Sequence, residues 1–291
     1  MNKNALLQKV QSIQITTSRL VNDILGGEYH STFKGQGIEF DAVRDYEPGD
    51  DIRRIDWKVT ARMGKPFIKT FVEERELTVM LMVDASHSGL FGSVDKLKSE
   101  YAVELCAVLA FSAIKNNDKV GLIIFTDTVE KYIPPKKGKT HVLSLINDLL
   151  SFQPKNKGTD IDAALHFLNS VHKRKCVSFL ISDFLDTNFE RSLQIANKRH
   201  DVVAITISDK RETDIPEIGL IEFEDAETGQ RIRIDSSNRH VQNKFKHVAQ
   251  KAYLDRESLF KRVDVDVIYT ETGVSYVKPL IQFFKKREKR H

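Results

Sequence analysis

Nowhere along its 291 residues does the chain run apolar for the ~20 positions that a membrane span needs. The opening stretch, Met1 to Val10, has Lys3 and Lys9 but no long apolar region and no small-residue cleavage site. That excludes a signal peptide and makes the cytoplasm the expected location. Cysteine is scarce. Cys106 and Cys176 are the only two, both inside apolar stretches and without metal-ligand spacing. They are expected to be free buried thiols in a reducing compartment. A surplus of one charge is also missing from most of the chain. The terminal residues Lys285, Lys286, Arg287, Glu288, Lys289 and Arg290 carry a net +4, which is the formal charge of the whole chain. The body is therefore neutral and lacks the basic surface that nucleic-acid binding relies on. The tail reads as a solvated end. Internal repeats and low-complexity linkers are absent too.

Apolar residues make up 41% of the chain and charged residues 30%, enough for a real core and a soluble surface. Residues 4–25 carry apolar positions at helical spacing, and Gly26-Gly27 follow as a stop signal. Residues 28–77 differ in texture, being dense in charge, glycine and aromatics, with a turn at Pro48-Gly49-Asp50 and a strand expected over 65–74. From residue 78 a new rhythm begins. "TVMLMVD" is a short continuous apolar run ending in a carboxylate, as a buried parallel strand would read. A long helix is expected over 95–116, and further strands over 119–125, 129–134, 176–183 and 201–208, with helices between the later ones. The 119–125 and 129–134 strands form a hairpin. Two short strands near 219–223 and 230–234, a helix over about 239–261, strand "VDVIY" and a helix near 275–284 complete the chain.

This alternation predicts an α/β fold, a mostly parallel sheet with helices on both faces. It also divides the chain into residues 1–77, an N-terminal helix with a charged β-rich extension, and residues 78–291, the α/β domain.

In open α/β sheets, ligands sit beyond the carboxyl ends of the strands. Two strands here end in aspartate, Asp84 and Asp183. Asp84-Ala85-Ser86-His87-Ser88 brings three oxygen-bearing side chains to alternate positions of one loop. Thr159, just before a helix, supplies a hydroxyl from a neighbouring loop. Two carboxylates and three hydroxyls suit a hard divalent cation such as Mg²⁺, or Mn²⁺ or Ca²⁺. Taken singly, each residue has a plainer reading: Asp and Ser are common in turns, and Thr159 reads as a helix cap. By alternation, His87 is expected to point away from the two serines into solvent.

These residues carry a resemblance. Asp84, Ser86, Ser88, Thr159 and Asp183 look like the metal-ion-dependent adhesion site of von Willebrand factor A domains. The upstream segment, "KGQGIEFDAVRDYEPGDDIRRIDWKVTAR" followed by "KPFIKTFVEERE", resembles a bacterial family of unknown function, number 58. The likeness runs from about Gly27 to at least Asp209. It implies a von Willebrand factor A-like (Rossmann-like) domain that binds proteins and has no catalytic role. It also implies a MoxR-type AAA+ ATPase, or that ATPase's client, as the partner. Many family members begin with membrane-spanning helices, and this chain shows none.

The upstream block holds too many charges for a core: Asp45, Asp50, Asp51, Arg53, Arg54, Asp56, Arg62, Glu73, Glu74 and Arg75. Either they pair with one another on a β-rich appendage, or Arg53, Arg54, Asp56, Trp57 and Arg62 form a partner-docking surface. Trp57, the only tryptophan, is expected as a packing anchor. An alternative function is an Mg-dependent phosphatase-like hydrolase using Asp84 as nucleophile. Such enzymes need a second carboxylate two residues on, and that position is Ser86.

Overall fold

The fold is taken from a computed structural model, which describes residues 3–21, 29, 37–74, 76–93, 97–224 and 230–289. The expected stop at Gly26-Gly27, and Arg75 and Arg290, lie outside the described residues.

The continuous apolar runs at 78–84, 119–125, 177–182 and 201–208 become strands buried on both faces. β3 (Thr78–Asp84), β4 (Lys119–Phe125), β6 (Val177–Ser182), β7 (Asp201–Ser208) and β10 (Asp266–Glu271) run parallel, and β5 (Val129–Lys136) returns antiparallel beside β4. The sheet order is β10-β7-β6-β3-β4-β5. Counted from β3 as the first strand of this sheet, the order is 3-2-1-4-5-6 from the β5 edge, the doubly wound arrangement. The fold is thus α/β and doubly wound, with a mostly parallel sheet and helices on both faces.

Period two sends alternate residues of each strand to opposite faces. On one face Met80, Met82, Ile123 and Phe125 pack with Ile161 and Leu165 of α5 (Ile161–Val171), Leu193 of α6 (Glu190–Arg199) and Phe260 of α7 (Arg239–Arg262). On the other lies α3 (Lys98–Lys115), buried around most of its circumference, as its nearly unbroken apolar sequence requires. α1 (Lys3–Leu20) and α4 (Lys139–Leu150) pack against α3. α8 (Val277–Glu288) lies against β10. β8 (Leu220–Glu224) and β9 (Arg231–Asp235) form a separate antiparallel ribbon. Both cysteines are free and buried, as expected.

Residues 33–77 make a second compact unit. In it β1 (Gly37–Asp45) pairs antiparallel with β2 (Phe67–Glu74), and a short helix α2 (Trp57–Met63) lies between them in sequence. α2 starts at Asp56, whose carboxylate accepts from the Lys58 and Val59 N–H groups at 3.0 and 3.2 Å. It ends at Gly64, whose φ of +73° suits glycine. The compact division puts α1 with residues 78–291 and leaves 33–77 as the charged unit.

Close packing in the sheet leaves little room for a side chain at one glycine. A Cβ on Gly121 would meet Met80 Sδ at 2.7 Å and the Ile133 carbonyl at 3.0 Å. Gly121→Ala is therefore expected to destabilise the protein by about 1–3 kcal/mol. Thermal unfolding checks this: an unchanged Tm would mean that β4 has room the structure does not show.

Candidate functional site

The first strand of the sheet, β3, has β4 on one side and β6 on the other, and the chain winds outward from it in both directions. The gap between β3 and β6 is therefore the topological switch point, where the carboxyl ends of neighbouring strands open a crevice. Asp84 ends β3, and Asp183 directly follows β6.

The loop after β3 is fixed by backbone bonds. The Ala85 N–H donates to Phe125 O at 2.8 Å, and the His87 N–H donates to Lys157 O at 3.0 Å. The Asp160 N–H donates to Thr126 O at 2.9 Å. These bonds lace the 85–88 loop to the loops at 126 and 157–160. Glu130 holds the same region by accepting from the Lys155 and Asn156 N–H groups and from Thr126 Oγ1. Asp160, not Thr159, caps α5, accepting from the Ala163 N–H at 2.8 Å.

At the centre, Asp84 Oδ1 accepts from the Ser86 N–H at 2.9 Å, and Asp84 Oδ2 accepts from Ser182 Oγ at 2.6 Å. Ser86 Oγ and Ser88 Oγ are 2.9 Å apart. Asp183 Oδ2 faces the Lys98 ammonium at 3.2 Å, and that ammonium also pairs with Glu212. Asp84, Ser88, Lys98, Ser182 and Asp183 border one small cavity of about 20 Å³, the scale of a single water or ion. Ser88, Thr159 and Asp183 also border a groove of about 1180 Å³ that runs toward α7 and β10. Of the five oxygen residues named from the sequence, Asp84, Ser88 and Asp183 border the small cavity, Ser86 is joined to it through Ser88, and Thr159 borders only the groove.

Burial pushes the Asp84 carboxyl up to about 6, and the nearby Asp183 charge adds to it, against the lowering effect of its hydrogen bonds. Phe184 follows Asp183 with φ of +55°, a left-handed conformation that costs a non-glycine residue about 1–2 kcal/mol. Its N–H donates to Ser182 Oγ at 3.0 Å, and its buried ring packs edge-on against Phe260. The strained turn is therefore held by core packing, and it aims Asp183 at the crevice.

Three participants escaped the sequence reading. Ser182 could have been seen, since it is a hydroxyl at the strand end beside Asp183. Lys98 and Glu212 had no local signal. Besides the cap at Asp160, two further expectations need correction. His87 is half-buried instead of solvent-exposed, and its Nδ1 is buried with no hydrogen-bond partner. The backbone bond to Lys157 draws the loop inward there. Trp57 is 70% exposed, so it is no packing anchor; as the first residue of α2 it projects outward.

The charged unit is partly paired, by cations that the sequence reading did not single out. Arg44 clasps Asp50 with two bonds of 2.6 and 2.8 Å, Lys65 meets Asp45 at 2.7 Å and Lys69 meets Asp56 at 3.6 Å. Arg53, Arg54 and Arg62 are exposed, close in sequence to exposed Ile52, Trp57 and Met63.

Comparison with known proteins matches residues 42–254 to the sequence profile of the family described as protein of unknown function DUF58. The chain belongs to the DUF58 family. It is 26% identical over 287 residues to an uncharacterized protein of Mycobacterium tuberculosis, covering 98% of this chain and 90% of that one. Among solved structures it is similar to the conserved hypothetical protein BatB from Bacteroides thetaiotaomicron, with a TM-score of 0.49 and 19% identity over 73% of this chain and 99% of that one. It is also similar to the VWA domain of SpRpn10, with a TM-score of 0.38 and 10% identity over 71% of this chain and 94% of that one. Among the described residues of this DUF58 protein, no helix is long and apolar enough to cross a membrane. Nor do three His, Cys, Asp or Glu side chains gather as a metal site among them.

Asp84 gives a pH prediction. Its folded pKa of about 6 lies above the ordinary 3.8, so the folded state holds this proton more tightly than the unfolded chain. Its contribution to cation-free stability is full below about pH 4 and is lost as pH rises through about 6. In chelator, the stability of Asp84→Asn relative to wild type should grow by on the order of 3 kcal/mol between pH 4 and pH 7. Urea unfolding across that range measures it. A difference independent of pH would show that Asp84 is not held in this environment.

Proposed function

We propose that this chain is a non-catalytic protein-binding module whose contact chemistry is a divalent cation. The ion is Mg²⁺, or Mn²⁺ or Ca²⁺, held by Asp84, Ser86, Ser88, Thr159 and Asp183. The carrying observation is a half-buried carboxylate, Asp84, beside a second, Asp183, at the switch point, with hydroxyls as the other oxygen donors. An all-oxygen set lacking thiolate and imidazole suits a hard cation. With Asp84, Asp183 and Glu212 ionised and Lys98 charged, the cluster sums to −2, which a divalent ion neutralises. A cation held largely by neutral hydroxyls keeps Lewis acidity and attracts a carboxylate from another protein.

One such bond cannot supply most of the affinity. The adjoining groove offers further surface, with Phe91, Leu185, Tyr253, Tyr269 and Val274 each at least 38% exposed. Family membership, as the resemblance set out above implies, makes a MoxR-type AAA+ ATPase or its client the candidate partner. Arg53, Arg54, Trp57 and Arg62 form a candidate second contact surface on the small unit. Asp56 acts there as the cap of α2. The hydrolase alternative lacks support, because the position of its general acid is Ser86, buried and bonded to Ser88.

Millimolar Mg²⁺ or Mn²⁺ should raise the Tm by roughly 5 °C or more. A ligand at 100 times its Kd contributes ~2.7 kcal/mol, and each kcal/mol moves a chain of this size by about 2–4 °C. Asp84→Ala should abolish that shift and weaken binding to the purified ATPase, while Lys289→Ala should do neither. Trp57→Ala should leave the Tm nearly unchanged and lower ATPase affinity if the small unit also docks. Wild-type affinity for Asp84→Ala, with or without EDTA, would remove the metal face as the docking surface.

A further inference from the structure

Lys98 is the first residue of α3, and two effects oppose a cation there. A helix N-terminus carries partial positive charge, which repels an ammonium. The side chain is also buried, at 3% exposure, and burial strips its hydration. A buried ion pair of this kind is not by itself a source of net stability. What the ammonium meets is therefore informative. On one side is Asp183 Oδ2 at 3.2 Å, and on the other is Glu212. Glu212 cannot swing away freely, because its Oε2 accepts from the Asp209 N–H at 3.0 Å. Asp209 in turn is anchored by Ser93, Thr272 and the Arg211 N–H. Lys98 thus bridges a carboxylate of the proposed ion site and a carboxylate outside it. It also borders the same small cavity as Asp84 and Ser88.

We propose that Lys98 is a tethered counter-cation that competes with a divalent ion for Asp183 and so sets the metal affinity of the site. This rests on the metal reading above. The ammonium occupies one oxygen of Asp183 and places a positive charge beside the cavity, so an entering ion must share Asp183 and face that charge. Glu212 acts as the holding end. It draws the ammonium away from Asp183 and supplies a negative charge of its own. Lys98 is a positioning and affinity-setting residue, not an ion ligand. The two ends of the clasp therefore make opposite predictions. Removing the ammonium tightens metal binding, and removing Glu212 loosens it, because the ammonium is then left to Asp183 alone.

The test measures the Kd for Mn²⁺, by the electron paramagnetic resonance of the free ion, on the full chain and on Lys98→Met and Glu212→Gln. Lys98→Met should bind at least about tenfold more tightly, and Glu212→Gln at least about threefold more weakly. Lys98→Met should also have a lower Tm in chelator, recovered by Mn²⁺, since Asp183 and Glu212 lose their shared cation. Tight binding by Lys98→Met where wild type binds no Mn²⁺ would support the inference in its strongest form. If Lys98→Met cannot be recovered folded, Glu212→Gln decides by the direction of its change. Wild-type binding matched by both variants would overturn the role of Lys98 and leave the metal site standing. No Mn²⁺ binding by any of the three would overturn both.

Discussion

Two carboxylates brought together at the carboxyl ends of two central, parallel strands set the terms for everything around them. β3 and β6 are neighbours in register, so the residues at their carboxyl ends cannot withdraw from each other without breaking the sheet. Asp84 is half-buried, and its charge is opposed by desolvation and by Asp183. The surroundings answer with donors: the Ser86 N–H and Ser182 Oγ on Asp84, and Lys98 and the Leu185 N–H on Asp183. The compensation is uneven. Asp183 has an ammonium, whereas Asp84 has only neutral donors. This asymmetry leaves a local excess of negative charge at a place where the fold also leaves a crevice.

Rigidity around the crevice comes from the core beneath it. Phe184 accepts a left-handed backbone because its ring is fixed between Phe189 and Phe260. Glu130 and the interloop backbone bonds hold the Thr159 loop against the Asp84 loop. Asp209, whose hydrogen bonds to Ser93 and Thr272 overcome burial and hold it down at about 2, anchors the turn that carries Glu212. Polar networks of this kind specify geometry more than they add stability, because each member must first lose its water.

The small unit follows a different economy of charge. Its ion pairs are exposed, and such pairs contribute little each. Arg44 with Asp50, and Lys65 with Asp45, shape a short ribbon and turn. Asp51 and Asp56 serve as caps, which explains two of the acidic residues without any partner. What local structure leaves unexplained is the exposed set of Ile52, Trp57 and Met63 among arginines. Large apolar side chains displayed with cations are what a recognition surface needs.

The sequence by itself determined the elements and their class. Hydropathy is a local signal, so "KVGLIIF" and "DVVAITIS" read directly as the strands Lys119–Phe125 and Asp201–Ser208, to the residue. Alternation with helices made the sheet parallel, and the rule that ligands sit at strand ends picked out Asp84 and Asp183. The charged block was legible in part: the strand expected over 65–74 is β2, whereas β1 and α2 carry weak periodicity and are held by pairs such as Arg44–Asp50 and by caps. His87 and Trp57 were misplaced for a related reason: a backbone bond to Lys157 and the projection of α2 settle their exposure, and neither leaves a trace in composition. Only the tertiary structure could decide that Lys98 meets Asp183, 85 residues away, and Glu212, 114 residues away. Strand order fixes which loops converge, and a single lysine at the start of a helix looks the same in sequence whether it meets water or a buried carboxylate.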